Sequence, residues 1–142
     1  MSSPAGPSLR PIGWVRSTLE RCADAPKQGF EGAPEARVRI EPDFARGLDG
    51  IEAGQEIVIL TWLHQARRNV LAVHPRDDPS QPLTGVFATR SADRPNPVGL
   101  HRVEVVEVEH DGTLHVRGLE AIDGTPVIDI KPVLAHSPRS LE

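Results

Sequence analysis

Prolines and glycines interrupt this chain so often that long regular elements are excluded. The 142-residue sequence contains 14 prolines and 12 glycines, and they separate apolar runs that are all short. Proline breaks a helix, and inside a sheet it leaves one ladder hydrogen bond unmade. The sequence therefore predicts short strands joined by turns.

The apolar runs that remain have the length and alternation of β-strands. Ala36, Val38 and Ile40 alternate with charged residues, as expected for a strand with one face in water. The longest pattern spans 98–109, and its alternation changes parity at positions 105 and 106, which predicts a β-bulge or bend. Further strands are predicted at 12–18, 57–63, 69–74, 85–90, 113–119 and 127–133.

Turn motifs join these predicted strands. Asp111-Gly112 is typical of a tight hairpin turn, and the DGTP sequence at 123–126 predicts a second turn. A helical turn is predicted at 43–48, capped by Asp43 and ended by Gly47. About eight short strands exceed what one flat sheet accommodates. We therefore predict an all-β fold, a single small β-barrel of about eight strands with few short helical turns, at 11–135, between a flexible N-terminal arm (1–10) and a C-terminal tail (136–142).

Composition excludes several other classes of protein. The longest apolar run, 57–60, is too short to cross a bilayer, and the first residues contain no apolar segment of a secretory signal, so we expect a cytoplasmic protein without membrane contact. Cys22 is the sole cysteine, which excludes an internal disulfide framework and a thiolate-rich metal site. No strand leads into a GxGxxG motif, which excludes a Rossmann domain.

The net charge of −4 argues against strong non-specific binding to a phosphate backbone, so an RNA substrate would need a local basic patch. Between the strands at 57–63 and 85–90, Asp77 and Asp78 offset Arg67, Arg68 and Arg76, which argues against an RNA substrate.

The segment 85–100, GVFATRSADRPNPVGL, concentrates polar side chains between two apolar strands. Pro95 and Pro97 restrict the backbone around Asn96, so the segment is rigid before any ligand binds. Preorganised polar groups are typical of a binding site. The alternative is a proline-rich surface turn whose arginines are solvated, and for Arg90 a salt bridge to Asp93.

This segment and GLEAIDGTPVIDIKP at 118–132 closely resemble the signature blocks of the TsaA-like family, also called TrmO-like or YaeB-like. HQ at 64–65 and PKQ at 26–28 resemble two further blocks, and the similarity extends over 12–132. The resemblance implies a β-barrel that binds S-adenosylmethionine, is usually a homodimer with its pocket near the interface, and methylates N6 of threonylcarbamoyladenosine beside the tRNA anticodon. That chemistry requires no metal.

The resemblance also implies which residues form the site. The cofactor positions are Pro26, Lys27, Gln28, His64, Gln65, Arg90, Leu100, Asp123, Gly124, Thr125 and Pro126. Further pocket or catalytic positions are Arg94, Asn96 and Asp129. Asp129, Asp93 and His64 are alternative proton acceptors, and Asp129 can instead form a structural ion pair with Lys131.

Three alternatives stay open at this stage. Within the same fold, the methyl acceptor is either tRNA or a small molecule or protein, or else the domain binds the cofactor without catalysis. A metal site at His110 and His115 is disfavoured because the sequence offers no third ligand.

Overall fold

The computed structural model of this chain describes residues 6–17 and 35–134. These residues contain eight strands: β1 (Gly13–Arg16), β2 (Ala36–Ile40), β3 (Glu56–Trp62), β4 (Ala72–Val73), β5 (Thr84–Gly85), β6 (Val98–Val108), β7 (Thr113–Arg117) and β8 (Pro126–Pro132). Short 3₁₀ helices occupy Pro42–Leu48, Pro75–Asp77 and Val86–Ala88. None of the helices in the described ranges is long and apolar enough to span a membrane.

Six of the strands close into an antiparallel barrel in the order β1-β2-β7-β6-β3-β8, and β4 and β5 form a separate two-stranded sheet. The predicted all-β barrel is confirmed, with six strands in its wall rather than about eight. The prolines at 75–82 explain the difference, because a segment that lacks several backbone N–H groups cannot join the barrel ladder.

Alternation along the strands builds the core. In β3, Ile57, Ile59 and Thr61 point inward and are buried, and β2 repeats the pattern through Ala36 and Val38. Each large aliphatic side chain buried in this way contributes about 1.5–3 kcal/mol to folding. The barrel interior is therefore a packed apolar core.

Two predicted irregularities are confirmed. The register between β6 and β7 shifts between Val105 and Glu107, where the sequence alternation changes parity. Gly112 and Gly124 have φ of +86° and +85°, as the turns at these positions require. A further register shift, between Leu60 and Thr61 of β3, lies where that strand pairs with β8.

Two local predictions were wrong. The segment 85–90 is not a strand: β5 ends at Gly85 and a 3₁₀ helix follows at Val86–Ala88, because the backbone turns there to bury Val86 and expose Phe87. Asp43 does not cap the turn at Pro42–Leu48, whose N-cap is Glu41 without a side-chain cap, and Gly47 lies inside the turn.

Candidate functional site

Three strand ends meet at one end of the barrel. Thr61, near the end of β3, pairs with Gly99 at the start of β6 and with Val127 at the start of β8. The two segments with unusual sequence, 85–100 and 118–132, both run past this end. The topology therefore brings them to one place although 17 residues separate them in the sequence.

Two adjoining cavities lie there. We call the first the small cavity: it has a volume of about 160 Å³ and is bordered by His64, Gln65, Ala92, Ile122 and Thr125 among others. We call the second the arginine groove: it has a volume of about 650 Å³ and is bordered by Phe87, Arg90, Arg94, Asn96 and Leu100 among others. Both are also bordered by Leu63, His101 and Glu120. The predicted cofactor residues His64, Gln65, Thr125, Arg90 and Leu100 thus line two neighbouring spaces with shared walls.

His101 forms part of the shared wall. The alternation of β6 places it on the inward face with Gly99 and Val103, and its Nε2 is hydrogen-bonded to Thr61 Oγ1 at 2.8 Å. Burial lowers the pKa of His101 from 6.5 to about 4, so the ring is neutral near pH 7. The sequence analysis missed His101, although its inward position in a strand of alternating residues is a usable signal.

Glu120 is the other polar residue of the shared wall. Its Oε1 is shielded from solvent and has no hydrogen-bond partner, the sole such side-chain atom among residues 6–17 and 35–134. Burial raises the pKa of Glu120 above its usual value. The sequence analysis missed this residue too, although a carboxylate between Leu119 and Ala121, both buried, is an unusual placement.

Arg94 holds the loop that borders the arginine groove. Its guanidinium donates to the backbone carbonyls of Val86 at 2.9 Å, Thr89 at 3.1 Å and Ser91 at 2.9 Å. The side chain is therefore engaged in fixing the loop's shape, although it also lines the groove.

Arg90 has a different environment. It is exposed, and it forms no hydrogen bond or ion pair with any residue in the described part of the chain. Asp93, which the sequence offered as an ion-pair partner of Arg90, is bound to Arg67 instead. It accepts from the Arg67 backbone N–H at 2.8 Å and from the Arg67 guanidinium at 3.0 Å. The backbone hydrogen bond from Arg67 lowers the pKa of Asp93, which makes this carboxylate a weak proton acceptor.

Asn96 is held by Arg68, a residue that the sequence analysis considered only for its charge. Arg68 donates to Asn96 Oδ1 at 2.9 Å and to the Pro95 carbonyl at 2.7 Å, while its guanidinium lies 5.0 Å from the centre of the Trp62 ring. The proline-containing bend is thus braced from outside, in agreement with a rigid segment.

The turn at 123–126 is used largely by the fold itself. Gly124 N–H donates to the Val15 carbonyl at 2.8 Å, and the Thr125 carbonyl accepts from Val15 N–H at 2.9 Å. The Asp123 carboxylate accepts from Ser17 N–H at 3.0 Å. The backbone groups that these bonds use are not free to meet a ligand, whereas Thr125 borders the small cavity and Pro126 borders a neighbouring groove with Asn96.

Asp129 stands apart from the two cavities. Its carboxylate accepts from Ile130 N–H at 2.9 Å and lies 3.6 Å from Lys131 Nζ, so the two charged groups share one face, as expected from their spacing. Asp129 pairs with Leu60, a residue of the groove wall, across the β3–β8 ladder. Pro26, Lys27 and Gln28 lie outside the described residues.

No group of three or more His, Cys, Asp or Glu within the described ranges is arranged to hold a metal ion. His115 Nε2 is hydrogen-bonded to Glu35 at 2.8 Å.

Comparison with known proteins places the chain in a family. Residues 14–138 match the family model described as the tRNA-methyltransferase O N-terminal domain. A probable S-adenosyl-L-methionine-binding protein of Methanothermobacter thermautotrophicus is 48% identical over 87% of this chain and 88% of its own length. An S-adenosyl-L-methionine-binding protein of Archaeoglobus fulgidus is 45% identical over 87% of this chain and 86% of its own length.

Solved structures agree with these relatives. A crystal structure of TrmO matches with a TM-score of 0.76 at 30% identity, covering 99% of this chain and 61% of that one. A crystal structure of TrmO from Pseudomonas aeruginosa matches with a TM-score of 0.75 at 30% identity, covering 97% of this chain and 60% of that one. The chain thus spans about three-fifths of those TrmO chains. By the match over most of its length, this chain belongs to the family of the tRNA-methyltransferase O N-terminal domain.

Proposed function

We propose that this protein binds S-adenosylmethionine across the small cavity and the arginine groove, and that it transfers a methyl group to N6 of threonylcarbamoyladenosine beside the tRNA anticodon. The observation that carries the proposal is the meeting of 85–100 and 118–126 around two spaces that share Leu63, His101 and Glu120. Membership of the family supports the reaction, and the names of the archaeal relatives support the cofactor.

The residues around these spaces suit such a ligand. S-adenosylmethionine supplies, when bound, a methyl group on a positively charged sulfur. Arg90 has no partner among the described residues, and its planar guanidinium can hold a carboxylate by two parallel hydrogen bonds. Leu63, Leu100 and Ile122 provide apolar walls. In this proposal Pro26, Lys27 and Gln28 complete the binding site, as the family resemblance implies.

The chain's contribution to methyl transfer is chiefly alignment. Displacement at a methyl carbon requires nucleophile, carbon and leaving atom in line, and holding reactants in that geometry removes much of the barrier. Arg94 and Arg68 fix the two halves of the loop, so the groove wall does not need to order itself on binding. Asn96 is then a positioning residue at the groove. Asp129 is a proposed proton acceptor on the family resemblance alone, because it borders neither cavity and lies beside Leu60 of the groove wall.

Local charge supports a nucleic-acid substrate in spite of the net charge of −4. A third groove, of about 880 Å³, is bordered by Arg67, Arg76 and Arg90 together with Asp77 and Asp93. Asp93 is already neutralised by Arg67, which leaves the edge of this groove cationic. Such an edge can contact phosphate groups next to the methylated base. A tRNA substrate also fits the expected cytoplasmic location.

The direct test is methylation of tRNA that carries threonylcarbamoyladenosine. The purified protein is incubated with that tRNA and S-adenosylmethionine, and the nucleosides are analysed by mass spectrometry. We expect a methylated form of the modified nucleoside, and no product from tRNA that lacks the threonylcarbamoyl group. Absence of product from correctly modified tRNA would overturn the substrate assignment.

A second candidate is favoured by a specific observation. The archaeal relatives, most of whose length this chain covers, are named only for binding S-adenosylmethionine, whereas the TrmO chains are considerably longer. Methyl incorporation from labelled cofactor into a cell extract, without competition by added tRNA, would identify a small-molecule or protein acceptor. Cofactor binding in calorimetry without incorporation into any extract would identify a binding module.

A further inference from the structure

Glu120 occupies a position that neither the fold nor the assigned residues explain. It lies just after β7, between the buried Leu119 and Ala121, and its side chain borders both the small cavity and the arginine groove. Its Oε1 is closed off from solvent and accepts no hydrogen bond from any described residue. Folded proteins leave very few buried polar atoms in this state, and the exceptions call for an explanation.

The neighbouring charged groups do not satisfy it. Arg90 and Arg94 border the groove, and His64 and His101 border the small cavity. Arg94 donates to three backbone carbonyls, and His101 is bonded to Thr61. None of the four forms an ion pair or hydrogen bond with Glu120. The described fold therefore supplies no donor for Oε1, which remains able to accept a hydrogen bond from a ligand.

We propose that Glu120 is a ligand-binding residue, whose carboxylate accepts a hydrogen bond from an N–H group of the nucleotide held across the small cavity and the arginine groove. This inference rests on the proposed function and adds a contact to it. The site lacks a hydrogen-bond donor for this oxygen, because an ionised carboxylate can only accept. Two sources supply one: the amino groups of the cofactor, and the nitrogen of the methyl acceptor.

The test compares the protein with Glu120→Gln, which keeps the shape and removes the charge. The matched control is Glu107→Gln, which makes the same change at an exposed position of β6 that borders none of these cavities. Binding is measured by calorimetry with S-adenosylhomocysteine, turnover with modified tRNA, and thermal unfolding without ligand.

The expected results separate the two sources of the N–H group. If it belongs to the cofactor, Glu120→Gln weakens S-adenosylhomocysteine binding tenfold or more. If it belongs to the methyl acceptor, that affinity is unchanged and kcat/KM for modified tRNA falls tenfold or more. In both cases the melting temperature of the ligand-free variant stays equal or rises by roughly 2–4 °C, because an unsatisfied charge has been removed. The control stays within twofold of the unaltered protein in every measurement.

Two results would overturn the inference. One is binding and turnover within twofold of the unaltered protein in Glu120→Ala, which has no acceptor, as well as in Glu120→Gln, whose amide oxygen can still accept. The other is a melting temperature that falls in Glu120→Gln and also in Glu120→Ala, since both losses would assign Glu120 a structural role. If the unaltered protein itself binds no S-adenosylhomocysteine, the proposed function fails. That outcome differs from one in which the unaltered protein and the Glu120 variants bind equally well.

Discussion

Gly99 makes the shared wall of the two cavities possible. It lies opposite Thr61 in the β3–β6 ladder, and a Cβ at this position would overlap the Thr61 hydroxyl and lie 2.7 Å from His101 Nε2. The hydrogen bond between Thr61 and His101 therefore requires that residue 99 has no side chain. Glycine is needed at this position for space, not for its backbone freedom.

We predict that Gly99→Ala destabilises the protein by about 1–3 kcal/mol, since the added methyl must displace Thr61 or His101 in a packed wall. The measurement is the free energy of unfolding in urea. Gly47→Ala is the control, because a Cβ there meets no atom within 4 Å; that variant should be unchanged or stabilised by up to about 1 kcal/mol. Equal effects at both positions would contradict the packing argument.

The low pKa of His101 makes the stability of the protein depend on pH between about 4 and 6.5. Its pKa falls from 6.5 to about 4 on folding, so between those values the unfolded chain binds a proton that the folded protein excludes. Stability is therefore greatest above pH 6.5 and is lost as the pH falls towards 4. Between pH 7 and pH 5 we predict a loss of about 2 kcal/mol in the free energy of unfolding.

The comparison variant is His101→Gln, in which this component should disappear. The carboxylates whose pKa is lowered in the folded state, among them Glu35, Glu56 and Asp93, lose their contribution at lower pH. Glu120, whose pKa is raised by burial, changes stability with the opposite sign, so the difference between the two proteins in urea titrations at pH 7 and pH 5 isolates the histidine. A wild-type loss that persists unchanged in His101→Gln would show that another group is responsible.

Arg90 and Arg94 are four residues apart and have different roles in the structure. Arg90 is exposed and has no partner in the described part of the chain, so Arg90→Lys should change the free energy of unfolding by less than about 0.5 kcal/mol. The same variant should weaken S-adenosylmethionine binding by about 1–3 kcal/mol, because an ammonium cannot copy the two-point hydrogen bond to a carboxylate. Unchanged affinity in calorimetry would remove Arg90 from the site.

At the scale of elements, the loop at 86–94 is the part most dependent on one side chain. Arg94 donates to the carbonyls of Val86, Thr89 and Ser91, and lysine cannot reach all three from one ammonium position. We predict that Arg94→Lys lowers the free energy of unfolding by about 1–3 kcal/mol. Hydrogen exchange of the amides at 86–94 should accelerate more than exchange in β3. Protection that is unchanged in the loop would contradict this role.

Elements that are determined by their own residues could be predicted from the sequence, and elements that are determined by distant side chains could not. The strands β2, β3 and β6 follow from alternation, and the bulge in β6 follows from a parity change in its own residues. The segment 85–90 has the same β-branched composition but turns after Gly85, because Arg94, further along the chain, holds the carbonyls of Val86 and Thr89. The hydrophobic pattern of residues 85–90 contains no information about hydrogen bonds from Arg94, which lies outside that segment.

The candidate site divides in the same way. The segments 85–100 and 118–126 were recognisable from their sequence blocks. The sequence marks His101 and Glu120 as unusual placements, but not their place in one site, because that depends on which residues face one another across β3, β6 and the segment after β7. Contacts between distant strands are set by barrel closure rather than by neighbouring residues.

At the scale of the whole molecule, one outer face of the barrel remains apolar. Trp62, Val98, Ile128 and Leu9 border a groove of about 700 Å³ outside the core, and Val98 is 40% exposed. Val98 also borders the arginine groove, so a partner seated on this face would lie beside the proposed cofactor site. A contiguous exposed apolar surface is typical of an interaction site. A second copy of the chain is the partner that the family resemblance implies.

We predict that the protein is a dimer in solution, with a mass twice its 15.5 kDa, and that Val98→Lys makes it monomeric. A lysine on this face places a charge against apolar surface, which an interface core excludes. Leu83→Lys is the control, because Leu83 is 64% exposed and does not border this groove. Light scattering after gel filtration gives the masses, and circular dichroism checks that both variants remain folded. A monomeric parent protein, or a Val98→Lys variant that stays dimeric, would contradict a dimer interface on this face.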